Sequence, residues 1–483
     1  MMKRREFVQT TGASALALFV SGCVKRQTNG RTTVSDTGSQ RQTKSAGAGG
    51  FGPLITAKDG LLDLPEGFTY CVVQTAGDAL SDGYQMPQQP DGMACFEGPK
   101  GEYVLLRNHE LGNRAFMGKR NYSMGHFSDE EVPSPHYAKG AYGGVTRVVI
   151  EASALRAELQ QATGQKSKAV KGSNFALAGT ELNCAGGVIP QGWVTCEESE
   201  TPGHGYAFLT KPTDDVLTKP RRITSWGRFP REGIVLDQET GIAYMTEDRY
   251  DGLFYRHVPD DPKRPMGNGR LEALAIKGLK TTHPHGTPRQ PKTGGQAWPN
   301  NQSWQVNWVR IPDPSAKTQS CREQGAIAGA TQFMRGEGIT YDAGAVWFTA
   351  SLGGPAFGGQ IFKYVPSTSE ESVDILRLEY EVTDRSVLSC PDNLVMAPWG
   401  DLVMAEDNYS STQTVTHQYI RGMTASGEIY DIARNRNSFA NVGKAGAEFT
   451  GACFSPDGAV LFVNLQTPEN VTVAISGPWK KSV

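Results

Sequence analysis

Asn183 to Glu198 reads NCAGGVIPQGWVTCEE. A cysteine stands in a glycine-rich turn, Cys184-Ala185-Gly186-Gly187, and the chain passes through Gly192 into the apolar run Trp193-Val194-Thr195-Cys196. It ends on two adjacent carboxylates, Glu197 and Glu198. A thiol and a carboxylate about a dozen residues apart, joined by one short strand, point to a metal site more than to packing.

The same layout returns five more times with other ligand types. Asp91-Gly92-Met93 leads to Asn108-His109-Glu110, and Glu232-Gly233-Ile234 leads to Glu247-Asp248. Glu337-Gly338-Ile339 leads to Ser351, Asp392-Asn393-Leu394 leads to Glu406-Asp407, and Thr450-Gly451-Ala452 leads to Asn464 and Gln466. Turn residues separate the two halves, as in Pro99-Lys100-Gly101, Pro398-Trp399-Gly400 and Pro456-Asp457-Gly458. These are hairpins, and further apolar runs such as Leu253–Arg256, Trp304–Ile311 and Gln360–Tyr364 supply outer strands. Six hairpin-plus-outer-strand units predict an all-β fold, a six-bladed β-propeller with loop and helix insertions. The largest insertions are expected near 111–183 and 257–336, with a short helix at Ala152–Gln161.

A propeller brings its inner strands to one axis, so equivalent residues form rings. One ring would hold Asp91, Cys184, Glu232, Glu337 and Asp392. A second would hold Glu110 or Asn108, with Glu197, Glu247, Glu406 and Asn464. Crowded carboxylates repel one another and resist desolvation unless cations sit among them. Oxygen ligands suit Ca²⁺, whereas one thiolate among carboxylates argues for a transition metal, iron or zinc. Arg335 precedes Glu337 by two residues, so both can face one side of a strand. Its guanidinium fork matches phosphate oxygens. Metals beside such a cation suit phosphoester hydrolysis.

Bland alternatives stand beside each residue. Cys184 could be a buried thiol or pair with Cys196. Glu232 and Glu337 could be solvated at strand starts, and Glu197 and Glu247 could cap turns or pair with Arg249. Asn108, His109 and Glu110 could make structural hydrogen bonds, and Arg335 could pair with a channel carboxylate. His283-Pro284-His285 falls in a Pro/Gly-rich stretch and reads as loop.

The chain has 483 residues, with 48 basic and 50 acidic side chains. That near-neutral balance, without a basic patch interleaved with aromatics, excludes nucleic acid as an expected partner. Its 56 glycines, without a collagen period, fit a turn-rich β protein. Residues 1–23 read as a twin-arginine signal, Lys3-Arg4-Arg5-Glu6-Phe7-Val8, followed by the apolar Ala13–Val20 and a lipobox-like Val20-Ser21-Gly22-Cys23. The expectation is folded export to the periplasm or cell surface, with a lipid on Cys23 as membrane anchor. Residues 24–50 are polar and aperiodic, a disordered tether, and 51–483 form the propeller domain, expected to act as a monomer. Seven cysteines remain beyond Cys23, an odd number that leaves at least one thiol for another use.

The motifs NCAGG…WVTCEE, LLRNHE, AYMTEDR, SPDNL, AEDN and FSPDG…LFVNLQ…GPW together resemble the PhoX-type alkaline phosphatases, over about Leu61 to Trp479. The resemblance implies hydrolysis of phosphomonoesters at a six-bladed propeller axis. It implies two Fe³⁺ and two or three Ca²⁺ with a bridging oxo group. By motif, Cys184 is the thiolate ligand to iron, Glu232 and Glu337 are iron-ligating carboxylates, and Arg335 contacts the substrate phosphate. Glu197, Glu247, Asp392 and Glu406 fall in the calcium shell, and Glu110 of the second ring is a further metal ligand. The segment from Gly187 to Trp193 is shorter than the usual form, which carries Pro-Trp-Gly-Thr-Trp there, and Arg231 stands where His is commoner. These departures bear on the pocket walls more than on the ligands. Two rivals have different signatures: calcium-dependent lactone or phosphotriester hydrolysis has no use for the Cys184 thiolate, and a binding propeller does not need five chelating residues in one ring.

Overall fold

The structure is a computed structural model that describes residues 50–480, apart from 59, 114–131, 162–163, 285, 288–289, 292–293, 368–372, 409–414 and 439–447. The leader 1–23, most of the tether and His285 therefore lie outside the described residues.

Six inner strands run Pro90–Glu97, Asn183–Ile189, Arg231–Leu236, Gly336–Asp342, Pro391–Met396 and Phe449–Phe454. Each pairs antiparallel with the strand that follows it: Glu102–His109, Gly192–Glu197, Ala243–Glu247, Ala345–Ala350, Leu402–Glu406 and Leu461–Leu465. The inner strands pack side by side in chain order, and Phe449–Phe454 returns to pack on Pro90–Glu97. The result is an all-β, propeller-like arrangement around one axis. Most second strands are buried along their length, as in Leu461–Leu465 and Ala243–Glu247. Neighbouring sheets cover both faces, so these strands read as near-continuous apolar runs instead of alternating ones.

Four of the units are separate sheets. The third and fourth share one ten-stranded sheet, bridged by Ser303–Arg310, which pairs with Gly269–Ile276 on one side and Ile375–Glu381 on the other. The last unit is completed by Thr69–Thr75 from the amino-terminal side, which pairs with Val471–Ser476. Closure by a strand from the other end of the chain ties the two ends together.

The expected insertions are smaller than the sequence suggested. Within 111–183, Gly143–Glu151 and Val170–Thr180 are the outer strands of the first unit, joined by the helix Ala152–Gln161. That helix buries Ala152, Leu155 and Leu159, one face at helical spacing. Within 257–336, Gly269–Ile276 is the outer strand of the third unit. A second helix, Cys321–Ile327, starts on a capping box made by Ser320 and Glu323.

Candidate metal centre

The second residue of each inner strand is Asp91, Cys184, Glu232, Glu337, Asp392 or Thr450. Every inner strand breaks register beside that residue: between Pro90 and Met93, Asn183 and Gly186, Arg231 and Ile234, Gly336 and Ile339, Pro391 and Leu394, and Thr450 and Cys453. A bulge inserts an unpaired residue and re-aims its side chain. Here the device is repeated around the axis. It also explains the glycine that so often follows the ligand. A Cβ on Gly92 would lie 2.6 Å from Ala185 Cα, and one on Gly338 would lie 2.4 Å from the Asp392 carbonyl. The inner strands approach too closely for a side chain there.

Three overlapping sets of buried or near-buried ligand atoms result: Asp91, Glu110 and Cys184; Cys184, Glu198 and Glu232; Glu232, Glu337 and Asp392. Within each set the atoms lie within 4.8 Å of one another. Two ligands on opposite sides of one cation at about 2.4 Å stand about that far apart. The donor set, hard oxygens with one sulfur, fits a mixed cluster of hard and transition-metal cations. Cys184 Sγ is 3.0 Å from Glu232 Oε1 and 3.7 Å from Asp91 Oδ2. Burial, then the charges of Asp91, Glu232, Glu110 and Glu198, push this thiol well above its ordinary value. A thiol so placed ionises only when positive charge joins the group.

Arg335 is buried beside the third set. Its Nε is 2.7 Å from Asp248 Oδ1, and its Nη2 is 2.6 Å from Glu337 Oε1. Ser351 Oγ donates to the same Glu337 oxygen at 3.0 Å. Arg335 has φ of 60°, a left-handed conformation that costs a non-glycine residue on the order of 1 kcal/mol. Such strain clusters at functional sites. Gln466 Nε2 donates to Asp91 Oδ2 at 2.8 Å and to Glu110 Oε2 at 3.1 Å, so the last unit contributes a neutral amide at the position where the fourth contributes Ser351 and the other four contribute acids.

Of the expected second ring, Glu110 joins a ligand set, whereas Glu197, Glu247 and Glu406 do not. Glu197 accepts bonds from Gly205 N at 2.8 Å and Glu181 N at 2.9 Å, and His204 Nδ1 stands 2.6 Å away. Glu247 is held by Arg322 Nη1 at 2.6 Å and Tyr255 OH at 2.8 Å. Glu406 is held by Ser389 N at 3.0 Å and Arg421 Nε at 3.1 Å. These three carboxylates are occupied by these partners, away from the ligand sets. Glu198 and Asp248, each one residue further on, reach the ligand sets and Arg335 instead. Adjacent residues of a strand face opposite ways, and the pairs Glu197-Glu198 and Glu247-Asp248 do not say which member faces the axis. Asn108 and Asn464 bond main-chain carbonyls instead of joining the ligand sets. All seven cysteines among the described residues are free. His283 is buried and its ring stacks on Phe357 at 5.1 Å.

Fold and site define an all-β, propeller-like protein with an acid-and-thiol ligand cluster on its axis. Residues 49–469 match the family described as alkaline phosphatase PhoX, and the chain belongs to that family. It is an alkaline phosphatase of the PhoX type, a metal-dependent phosphomonoester hydrolase. Among solved structures, the chain is similar to Pseudomonas fluorescens PhoX in complex with vanadate, a transition-state analogue, at 18% identity and a TM-score of 0.63, over 89% of this chain and 98% of that one. It is more distantly similar to XC5397, a gluconolactonase from Xanthomonas campestris, at 10% identity and a TM-score of 0.37, over 88% and 98% of the two chains. No curated protein sequence matches.

Proposed function

We propose that the six units are six blades of a propeller, and that its axis holds two ferric ions and two or three calcium ions. Asp91, Glu110, Cys184, Glu198, Glu232, Glu337 and Asp392 are the ligands. The observation that carries this reading is the overlap of the three ligand sets through Cys184 and Glu232. Ligands shared between sets suit ions that lie side by side. When bound, the cluster supplies Lewis acidity and an activated oxygen nucleophile for attack on phosphorus.

The chain's own residues do the rest. Arg335 meets the phosphate oxygens of the substrate, with its fork aimed by Asp248 and Glu337. Ser351 fixes Glu337, and Gln466 fixes Asp91 and Glu110. Burial of the site strengthens each of these charge interactions. Vanadate, held by the Pseudomonas fluorescens relative, mimics the same kind of transition state and is expected to inhibit this enzyme.

The twin-arginine leader and the lipobox-like Cys23 support export of the folded, metal-loaded monomer to a periplasmic or surface position with a lipid anchor. There it releases inorganic phosphate from organic esters. The test of the catalytic reading is turnover of p-nitrophenyl phosphate by purified protein before and after chelation, with calcium and ferric iron added back separately and together. Recovery only with both supports the mixed cluster. Full turnover in the chelated protein contradicts it.

A further inference from the structure

One residue before its paired end, the second strand of four units carries a side chain that reaches across to the next unit. Asn108 Nδ2 donates to the carbonyls of Cys184 and Ala185, both at 2.8 Å. Thr246 Oγ1 donates to the Glu337 carbonyl at 2.5 Å, and Thr349 Oγ1 to the Asp392 carbonyl at 3.0 Å. Asn464 Nδ2 donates to the Asp91 carbonyl at 2.7 Å. The register is the same each time: His109, Glu247, Ala350 and Leu465, the residues that follow, pair with the first residues of their own inner strands. In the two remaining units the equivalent positions hold Cys196 and Ala405.

Three of these donors are themselves held. Trp193 Nε1 donates to Asn108 Oδ1 at 2.8 Å, Thr472 Oγ1 to Asn464 Oδ1 at 2.6 Å, and Gly233 N to Thr246 Oγ1 at 3.0 Å. All four side chains are buried. Each grips the carbonyl of one proposed ligand at its bulge, and Asn108 also grips that of Ala185. A bulged residue has lost part of its ladder bonding, so a bond from the neighbouring unit supplies the constraint that the ladder does not.

We propose that Asn108, Thr246, Thr349 and Asn464 are positioning residues that set the main chain of the metal ligands Cys184, Glu337, Asp392 and Asp91. Each of these four blades thus registers the ligand of the blade after it. The proposal rests on the metal reading above. Partners of this outer kind fix ligand orientation, and their loss typically costs about 10- to 100-fold in metal affinity.

The test uses the full chain, with iron and calcium per chain measured after dialysis against graded chelator, and the unfolding midpoint of the metal-stripped protein measured alongside. Thr349→Val removes the hydroxyl at nearly constant volume, and Thr349→Ser restores it. The expected result is release of metal from Thr349→Val at about 10- to 100-fold lower chelator strength, with Thr349→Ser close to wild type. Thr246→Val and Thr246→Ser give the same comparison should Thr349→Val not fold. A Val variant that keeps its metal as tightly as wild type overturns the proposal, even where the stripped protein is less stable, because that pattern is plain structural support. Wild-type protein that retains no metal overturns the metal reading, and the positioning role with it.

Discussion

Glu197 and Glu198 are neighbours in the chain with opposite destinations. Glu197 turns into its own sheet, where His204 Nδ1 stands 2.6 Å away and Gly205 N donates at 2.8 Å. Glu198 joins Cys184 and Glu232 on the axis and pairs with Arg249 at 3.1 Å. One residue builds the blade, and the next builds the site.

Glu197→Ala should therefore cost about 3 kcal/mol of stability, because it strands buried donors around a lost carboxylate. Glu198→Gln should leave the unfolding midpoint of metal-stripped protein near wild type while lowering the metal content. Urea unfolding and elemental analysis of both variants separate the two roles. Equal metal loss in both, at equal stability, would contradict the division.

Arg335→Lys keeps the charge but loses the fork. Turnover of p-nitrophenyl phosphate should fall by about 10²-fold in kcat/KM, the scale of losing one well-aimed donor to developing charge, with iron and calcium retained. Unchanged kcat/KM would remove Arg335 from the substrate site and leave it an ion-pair partner of Asp248 and Glu337.

Burial pushes the Glu381 carboxyl up to about 7 from its usual 4.5, while the Gln360 hydrogen bond opposes the rise. Between those values the folded state binds this proton more tightly than the unfolded chain. The stability it contributes is present below pH 4.5 and lost as the pH climbs to about 7. Glu381→Gln should make the protein more stable than wild type at pH 8 by about 2 kcal/mol, and nearly equal to it at pH 4.5. Denaturant midpoints at the two pH values check this. A variant that loses stability at pH 8 would contradict the assignment.

Phe51 packs among four aromatic rings at the junction of the two chain ends: Phe68, Trp399, Tyr430 and Trp479, with centroids 5.0–5.7 Å away. Phe51→Ala should lower stability by about 2 kcal/mol without changing the specific activity of folded protein. A thermal melt and an activity assay at 25 °C test both halves of that statement.

Much of this site was legible in the sequence because of a simple coincidence of constraints. The axis needs a ligand, and the crowding of inner strands then needs a small residue, so Asp91-Gly92, Glu232-Gly233 and Glu337-Gly338 repeat as visible pairs. The second ring was less legible. Glu197-Glu198, Glu247-Asp248 and Glu406-Asp407 offer two acids each, and which one faces inward depends on where the bulge falls, a property of pairing and not of composition. Gln466 was legible only as part of a strand end, since a neutral amide carries no charge signal. The outer strands at 143–151 and 170–180 lie inside the long, unevenly spaced stretch after the first hairpin, and the helix between them interrupts the hairpin signal.

The most direct measurement is the iron and calcium content of purified wild-type and Cys184→Ala protein, each with its p-nitrophenyl phosphate turnover. The account predicts bound iron and calcium with turnover in the wild type, and loss of iron and most activity in Cys184→Ala with the fold retained. A Cys184→Ala protein with wild-type iron and full turnover would contradict it.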